Sequence, residues 1–501
     1  MKRLAVAVFL PIALAAAIVL LARPGVEASP ATFTVNSTAD PGDGICDGTE
    51  CTLREAITAA NANAGTDTIE FDIVGAGPHT ISPASALPTI TDPVIIDGTS
   101  EPDFGGTPVI ELDGSGAGAS VDGLNITAGG STVKGLVINR FRNDGIELSG
   151  SSGNTIEGNY IGTDVSGTAD LGNSNVGVLV IGAPNNTIGG TAAGTGNVIS
   201  GNDQYGVYIY ASGATGNQVQ GNYIGTDKNG TAALGNSSIG VYIGNVPGNY
   251  IGGTATGAGN VISGNDQYGV RIEGSGATGN QVQGNYIGTD VTGTADLGNS
   301  YSGVSISSGA SNNTIGGSTS GAGNTVAFNG DDGVRVDGAT TTANTISGNS
   351  IHSNGGKGIE NINGGNRELE PPIIDSVGGS VSGHTDPKCY PCTVEVFSDD
   401  EDEGRVYHGS TTTNDDTTGT WTYPGAVTGP NITATATHAD GATSEFSAPV
   451  AYSPPPVGGI AELPDVSGSS ASNHLAVAGL AAVALAALTA GAWYARRQWL
   501  G

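Results

Sequence analysis

Positive charge is scarce in this 501-residue chain: 16 Lys and Arg stand against 47 Asp and Glu, for a formal net charge of −31. A surface of this sign repels nucleic acid and anionic lipid head groups, so we expect no nucleic-acid partner. Aromatic residues are also few, at 5% of the chain, and the six histidines are scattered. The sequence contains no Ser-His-Asp arrangement, phosphate-binding loop or histidine pair at metal-ligand spacing.

Cysteine is nearly absent as well, with four residues in two close pairs. In an exported chain such pairs predict the disulfides Cys46–Cys51 and Cys389–Cys392. A zinc site built from all four thiols is the alternative. It would require the two pairs to meet from distant parts of the chain, and no histidine-rich context supports it.

The two termini predict export and anchoring. Residues 1–28 have a basic start, an apolar stretch over 4–22 and a small-x-small site at 26–28, as in a signal peptide. The apolar stretch is long enough that an uncleaved N-terminal anchor stays open.

Residues 475–495 are apolar and long enough to cross a bilayer, and Arg496-Arg497 follow them, which favours a cytoplasmic tail. The predicted anchor therefore covers 475–501. A Pro/Gly/Ser-rich linker over 453–474 precedes it.

Glycine is abundant, at 84 residues, and much of it belongs to an internal repeat. GNYIGTD occurs at 158–164, 221–227 and 284–290, which is a fixed period of 63 residues. Short strands of alternating Val/Ile begin after Gly at steps of about half this period, so one period holds two three-strand coils. We predict a right-handed parallel β-helix over 68–367, with about eleven coils. The repeat lacks the leucine-rich signature, and its strands are too short for propeller blades.

The segment before the repeats predicts an N-terminal cap over 29–67. Thr52 and Glu55 form a capping box at the start of a helix predicted for 52–62. Such a helix covers the apolar end of a solenoid. After the repeats, alternating strands and the Asp440-Gly441 hairpin signal predict an Ig-like β-sandwich over 368–452.

Asparagines that begin successive strands are predicted to stack, each amide bonding the backbone of the next coil. Every second coil also carries an insertion, GTDxxGTAxLGNS, on one edge of the solenoid. Asp164, Asp227 and Asp290 recur in these insertions and are candidate Ca²⁺ ligands, since hard oxygen ligands from loops suit that ion. The alternative is a purely structural role. No cofactor besides this possible calcium is indicated.

Candidate catalytic groups are Asp331, Asp332 and Arg335. Paired aspartates occur in β-helix polygalacturonases, and a calcium-dependent lyase needs a basic residue near its carboxylates. The alternative interpretation is that the aspartates form a turn, because Asn143-Asp144, Asp203-Gln204 and Asp266-Gln267 are expected at the same corner of other coils.

An outward aromatic row is the candidate ligand-binding feature. Tyr208 and Tyr242 fall at the same position of adjacent coils, with Tyr205, Tyr210 and Tyr268 nearby. Exposed rings can stack on sugars, or they can simply protect the strand surface.

The segment CTLREAITAAN at 51–61 resembles the segment that names the CSLREA family of exported bacterial β-helix proteins, with Thr52 in place of the family's Ser. DTIEF at 67–71, ALPTITDPVIIDG at 86–98 and the GNYIGTD repeats are similar to that family's coils. The segments 387–409 and 430–447 are similar to the sandwich that often follows. LPDVSG at 463–468 resembles a wall-sorting signal but lacks its Thr. The resemblance implies a surface architecture and no settled activity.

We therefore expect an exported, surface-anchored, monomeric β-helix protein with a structural or adhesive role toward a polysaccharide or a neighbouring cell surface. A polysaccharide lyase or hydrolase is the alternative, and a ligand-free surface-layer element is the third possibility.

Overall fold

The computed structural model describes residues 29–452, and the predicted signal peptide, linker and membrane anchor lie outside this range. Within it, no helix is long and apolar enough to cross a membrane. Three parallel sheets and two antiparallel sheets account for the strands. The all-β class and the parallel β-helix are thus confirmed, while the right-handed sense is what connections between parallel strands normally adopt.

Sheet 1 has 11 strands in chain order. They are Thr32–Val35, Asp67–Phe71, Val94–Asp97, Thr132–Lys134, Thr155–Glu157, Thr187–Gly189, Gln218–Gln220, Tyr250–Gly252, Gln281–Gln283, Thr314–Gly316 and Thr345–Ser347.

Sheet 2 has 10 strands, again in chain order. They are His79–Ile81, Ile110–Asp113, Leu136–Asn139, Tyr160–Ile161, Val198–Ile199, Tyr223–Ile224, Val261–Ile262, Tyr286–Ile287, Thr325–Ala327 and Ser350–His352.

Sheet 3 has nine strands. They are Leu124–Ile126, Ile146–Ser149, Val178–Ile181, Val207–Tyr210, Val241–Gly244, Val270–Glu273, Val304–Ser307, Val334–Asp337 and Ile359–Ile362.

From Val94–Asp97 onward each coil contributes one strand to each sheet, and equivalent residues of successive coils pair in register. In sheet 3, Val207 pairs with Val241 and Ile209 with Ile243, and all four side chains are fully buried. Because side chains alternate across a strand, one set of residues fills the solenoid and the other set faces out. Burying each Val or Ile contributes about 1.5–3 kcal/mol.

The N-terminal cap differs from its predicted boundaries. The helix spans Leu53–Ala62, with the predicted capping box of Thr52 and Glu55. However, the strand Thr32–Val35 precedes this helix and already pairs with Asp67–Phe71 in sheet 1. Sheet 1 therefore begins at Thr32 rather than near residue 68, because the chain adds one strand before the helix packs its buried face against the end of the core.

Three columns of buried asparagines run along the solenoid, one before sheet 1, one before sheet 2 and one in the turn before sheet 3. Asn260 is typical. Its side-chain N–H donates to Asn285 Oδ1 at 2.9 Å and to the Val219 carbonyl at 2.8 Å. Its Oδ1 accepts the backbone and side-chain N–H groups of Asn222, both at 2.9 Å. The predicted stacking is present, and the amides bond each other as well as the backbone.

The antiparallel sheets contain the strands Ile373–Val377, Val381–His384 and Thr420–Tyr423 in one and Val406–Thr412, Cys392–Asp399, Asn431–His438 and Val450–Ala451 in the other. They share a core that includes Val381, Val396 and Trp421. Disulfides join Cys46 to Cys51 and Cys389 to Cys392.

This antiparallel unit closes the C-terminal end of the solenoid. Ile351 and Gly404 exchange backbone hydrogen bonds at 3.0 and 2.9 Å. Ser347 donates to Glu395 at 2.7 Å, and the Phe446 ring packs against the solenoid core. Strand edges and apolar side chains that would face water are thereby covered.

We predict that Asn260→Ala lowers the free energy of unfolding by about 4 kcal/mol, because it leaves several buried partners of one amide unsatisfied. The exposed Asn229, which bonds only the Asp227 side chain, provides the matched control. Asn229→Ala should change stability by no more than about 0.5 kcal/mol. Urea unfolding midpoints of the two full-length variants, compared with the parent chain, check this. Equal midpoints for both variants would contradict a stabilising column.

A second prediction concerns pH. Glu403 is buried where the antiparallel unit meets the last coil, and burial raises its pKa to about 7. The folded protein therefore holds this proton more tightly than the unfolded chain, whose Glu pKa is about 4.3. Stability from this group is complete below about pH 4 and is lost as the pH rises through 7, by at most about 4 kcal/mol.

The melting temperature between pH 5 and pH 8 tests this. We expect Glu403→Gln to reduce the fall over that interval, and Glu401→Gln, in the exposed part of the same loop, to leave it unchanged. An unaltered slope in Glu403→Gln would rule out the contribution of Glu403.

Candidate functional site

Sheet 3 presents one outward row of side chains along the solenoid. Successive members occupy the same register position of adjacent strands, so they lie about 4.8 Å apart. The row consists of Asn125, Glu147, Leu179, Tyr208, Tyr242, Arg271, Ser305, Arg335 and Glu360. The structure thus brings the two candidate tyrosines and one candidate catalytic residue, Arg335, onto one line.

The centre of this row is a cluster that we call the tyrosine face, formed by Tyr205, Tyr208, Tyr210, Tyr242, Tyr268, Arg271 and Glu273. The Tyr208 ring stacks on Tyr210 and on Tyr242, in both cases with centroids 4.6 Å apart and planes within 7°. Tyr205 meets Tyr208 and Tyr242 edge-on at 5.2 Å. The rings of Tyr208, Tyr210 and Tyr242 therefore contact one another through their flat faces.

Arg271 and Glu273 are the charged members of the tyrosine face and lie on the strand after that of Tyr242. The Arg271 guanidinium carbon lies 5.8 Å from the Tyr242 centroid and 5.5 Å from that of Tyr268, within cation–π range. Arg271 also pairs with Glu273 at 3.0 Å, and the Tyr242 hydroxyl donates to Glu273 at 2.7 Å. Burial, followed by this carboxylate, raises the pKa of Tyr242, which keeps its hydroxyl a proton donor.

Two polar atoms, one in the tyrosine face and one next to it, have no hydrogen-bond partner. Within residues 29–452, Arg271 Nε and Ser307 Oγ are shielded from water and make no hydrogen bond. An unsatisfied donor or acceptor of this kind costs about 1–3 kcal/mol.

Arg335 lies near the C-terminal end of the row and is surrounded by carboxylates. Its guanidinium is 2.9 Å from Glu360, 3.3 Å from Asp332, 3.6 Å from Asp337 and 3.9 Å from Asp331. Burial alone would lower the pKa of Arg335, but these carboxylates, Glu360 first, raise it. The residue is therefore a fixed cation and cannot serve as a proton acceptor at neutral pH.

Asp332 and Asp144 play the same structural role in their coils. Asp332 Oδ1 accepts the backbone N–H of Lys357 at 3.0 Å, and Asp144 Oδ1 accepts that of Val176 at the same distance. Both aspartates directly precede the glycine of a sheet 3 strand, so each fastens its corner to the next coil. This favours the turn-forming interpretation of Asp331-Asp332.

The expected equivalence of Asp203 and Asp266 with this pair is off by one residue. Each corner contains one buried asparagine of the third column. Asp203 and Asp266 are the first residue after this asparagine, whereas Asp331 is the second. The sequence contains a signal for this shift, because Asp203 and Asp266 lie three residues before the glycine of the next sheet 3 strand and Asp331 lies two residues before it.

The side chains of Asp164, Asp227 and Asp290 each accept hydrogen bonds from the backbone of their own insertion. Asp290 Oδ1, for example, accepts the backbone N–H groups of Thr294 and Ala295, both at 2.9 Å. Burial would raise the pKa of these carboxyls, but such hydrogen bonds outweigh it and lower the pKa. In the described part of the chain the three do not belong to any carboxylate or imidazole cluster of metal-site size. Calcium binding by these aspartates stays a prediction.

Sequence reasoning missed a shallow groove on the outer surface of sheet 1, with a volume of about 330 Å³. Gln218 and Gln281 lie on either side of Tyr250 in register, and Gln220 and Gln283 also line the groove. Tyr250 is 40% exposed. The repeated GNQVQGN motif was the available signal. We call these five residues the glutamine groove.

No family model matches the chain, and no curated protein matches it. Several solved structures are similar over part of it, including the following three. They are a mutant of the periplasmic alginate epimerase AlgG (14% identity, TM-score 0.32, 59% of this chain and 67% of that one), pectate lyase Pel9A (16%, 0.26, 66% and 80%) and the A-module of the mannuronan C-5 epimerase AlgE6 of Azotobacter vinelandii (18%, 0.24, 62% and 93%).

If Asp332 fastens a corner, its removal should reduce stability. We predict that Asp332→Ala lowers the free energy of unfolding by about 2 kcal/mol, since it leaves the Lys357 N–H and part of the Arg335 charge without a partner. Asp331→Ala, where half of the side chain is exposed, is the control and should have almost no effect. Urea unfolding of both variants checks this, and an unchanged midpoint for Asp332→Ala would contradict the structural role.

Proposed function

We propose that this chain is an exported surface protein of the CSLREA type, with a structural or adhesive role, and that its tyrosine face binds a neutral polysaccharide. In this proposal residues 1–28 direct export, 475–501 anchor the chain and the antiparallel unit is an Ig-like spacer near the membrane. The observation that carries the binding function is the in-register line from Tyr208 through Tyr242 to Arg271.

The spacing of this line suits an extended sugar chain. Steps of about 4.8 Å between strands are close to the length of one pyranose unit in an extended chain. Successive sugars can therefore meet equivalent side chains on successive coils.

The packing of the rings determines how sugars would be held. Because Tyr208 stacks on both neighbours, its flat surface is not free for a pyranose. The tyrosine hydroxyl groups, the ring edges and the Arg271 guanidinium supply the contacts. This arrangement favours hydrogen bonding over ring stacking.

Charge favours a neutral ligand. Arg271 is already paired with Glu273, and the chain carries a formal net charge of −31, so a polyanionic polysaccharide is repelled at low ionic strength. The carboxylate groups around Arg335 extend this repulsion to the end of the row. A hydrolase or lyase would need an acid and a base free to exchange protons, and the structural bonds of Asp332 and Arg335 argue against that use.

The test is retention of the full-length chain on immobilised neutral and acidic polysaccharides, with release of new sugar ends scored in parallel. We expect retention on a neutral polymer without release, and at least a tenfold weaker affinity for Tyr242→Ala and for Arg271→Ala. Tyr250→Ala, an exposed tyrosine on sheet 1, is the matched control and should bind as the parent does.

Loss of binding in Tyr250→Ala alone would move the ligand to the glutamine groove. Release of sugar ends that Asp332→Asn abolishes would make the protein an enzyme. Either result contradicts the proposal.

A further inference from the structure

A buried histidine near the N-terminal end of the solenoid has a ring nitrogen without a partner. His79 begins the strand that forms one edge of sheet 2. Its side chain is 6% exposed, and within residues 29–452 its Nε2 makes no hydrogen bond. A buried polar atom in this state is costly unless something else satisfies it.

Two carboxylates from a single loop face this nitrogen. Glu101 Oε1 lies 3.6 Å and Asp103 Oδ1 lies 3.9 Å from His79 Nε2. Both separations exceed those of a normal hydrogen bond, which is about 2.7–3.2 Å. Around an ion bonded to each ligand at about 2.1 Å in tetrahedral geometry, neighbouring ligand atoms lie roughly 3.4 Å or slightly more apart. The two distances from His79 Nε2 are closer to this ligand-to-ligand distance than to the length of a hydrogen bond.

The other oxygen of each carboxylate is held by the backbone. Glu101 Oε2 accepts the N–H of Ile73 at 3.1 Å, and Asp103 Oδ2 accepts the N–H of Gly77. These bonds turn Oε1 and Oδ1 toward His79, as outer hydrogen bonds orient metal ligands. Glu101 is 3% exposed, whereas the side chain of Asp103 is 38% exposed and gives access from solvent.

From this arrangement the geometry points to a divalent transition-metal site, held by His79 Nε2, Glu101 Oε1 and Asp103 Oδ1, for which Zn²⁺ is the fitting ion. One imidazole nitrogen and two carboxylate oxygens suit Zn²⁺, with water in the fourth position, whereas Ca²⁺ takes six to eight oxygens. The ion fastens the loop after Val94–Asp97 to the edge strand of sheet 2. This site is remote in sequence from the tyrosine face, and its test is independent of polysaccharide binding.

Two other clusters in the described range bring three carboxylates together, and they lack this feature. Glu55 in one of them is engaged by the capping box. Asp144 in the other accepts hydrogen bonds from Val176 and Asn175. Neither cluster contains an imidazole, and neither contains a buried atom without a partner.

The experiment is a calorimetric titration of the chelator-treated full-length chain with ZnCl₂, accompanied by melting curves with and without the metal. We expect one site with a dissociation constant below about 10 μM, at least tenfold weaker binding of Ca²⁺, and a higher melting temperature with Zn²⁺. His79→Gln should weaken Zn²⁺ binding at least tenfold and remove the thermal shift.

Asp103→Asn provides a second variant with a partly exposed side chain, in case His79→Gln does not fold, and it should also weaken binding. His384→Gln is the matched control. His384 forms an exposed pair with Asp375 at 3.0 Å, so it represents the surface histidine–carboxylate pairs to which Zn²⁺ binds adventitiously. Absence of saturable binding, or binding that both His79→Gln and Asp103→Asn retain, would overturn the site.

Discussion

The coil-to-coil register, fixed by buried asparagine amides, is the constraint on which the rest of this structure depends. Each amide in a column must find partners in the coil before and the coil after it, as Asn260 does with Asn222 and Asn285. A shift of one residue would leave several buried polar groups unsatisfied, at about 1–3 kcal/mol each. From Asn154 onward, the register is therefore specified at three places around each coil.

A fixed register turns repeated sequence into continuous surfaces. Residues at one coil position form a column, so Tyr208 and Tyr242 become neighbours although 34 positions separate them along the chain. The same rule places Gln218 and Gln281 on either side of Tyr250. The outer columns of sheets 1 and 3 are thus the surfaces available to a long ligand, while the buried columns supply stability.

Much of this could be predicted from the sequence because the repeat encodes it. The coil, the asparagine columns, the Thr52–Glu55 capping box and the alignment of Tyr208 with Tyr242 all follow from spacing. Other features depend on information that spacing does not contain. The stacking of Tyr208 between Tyr210 and Tyr242 reflects side-chain rotamers. The strand at Thr32–Val35 and the meeting of His79 with Glu101 belong to the first coils, which lie before the regular repeats and give no periodic signal.

The most direct test of the account is a crystal structure of the protein with a neutral oligosaccharide, since it locates the ligand without reference to any variant. The account predicts sugar density along sheet 3, with hydroxyl groups bonded to Tyr242 and Arg271 and with successive sugars on successive coils. Sugar bound on sheet 1, or on the insertions that contain Asp227 and Asp290, would contradict it.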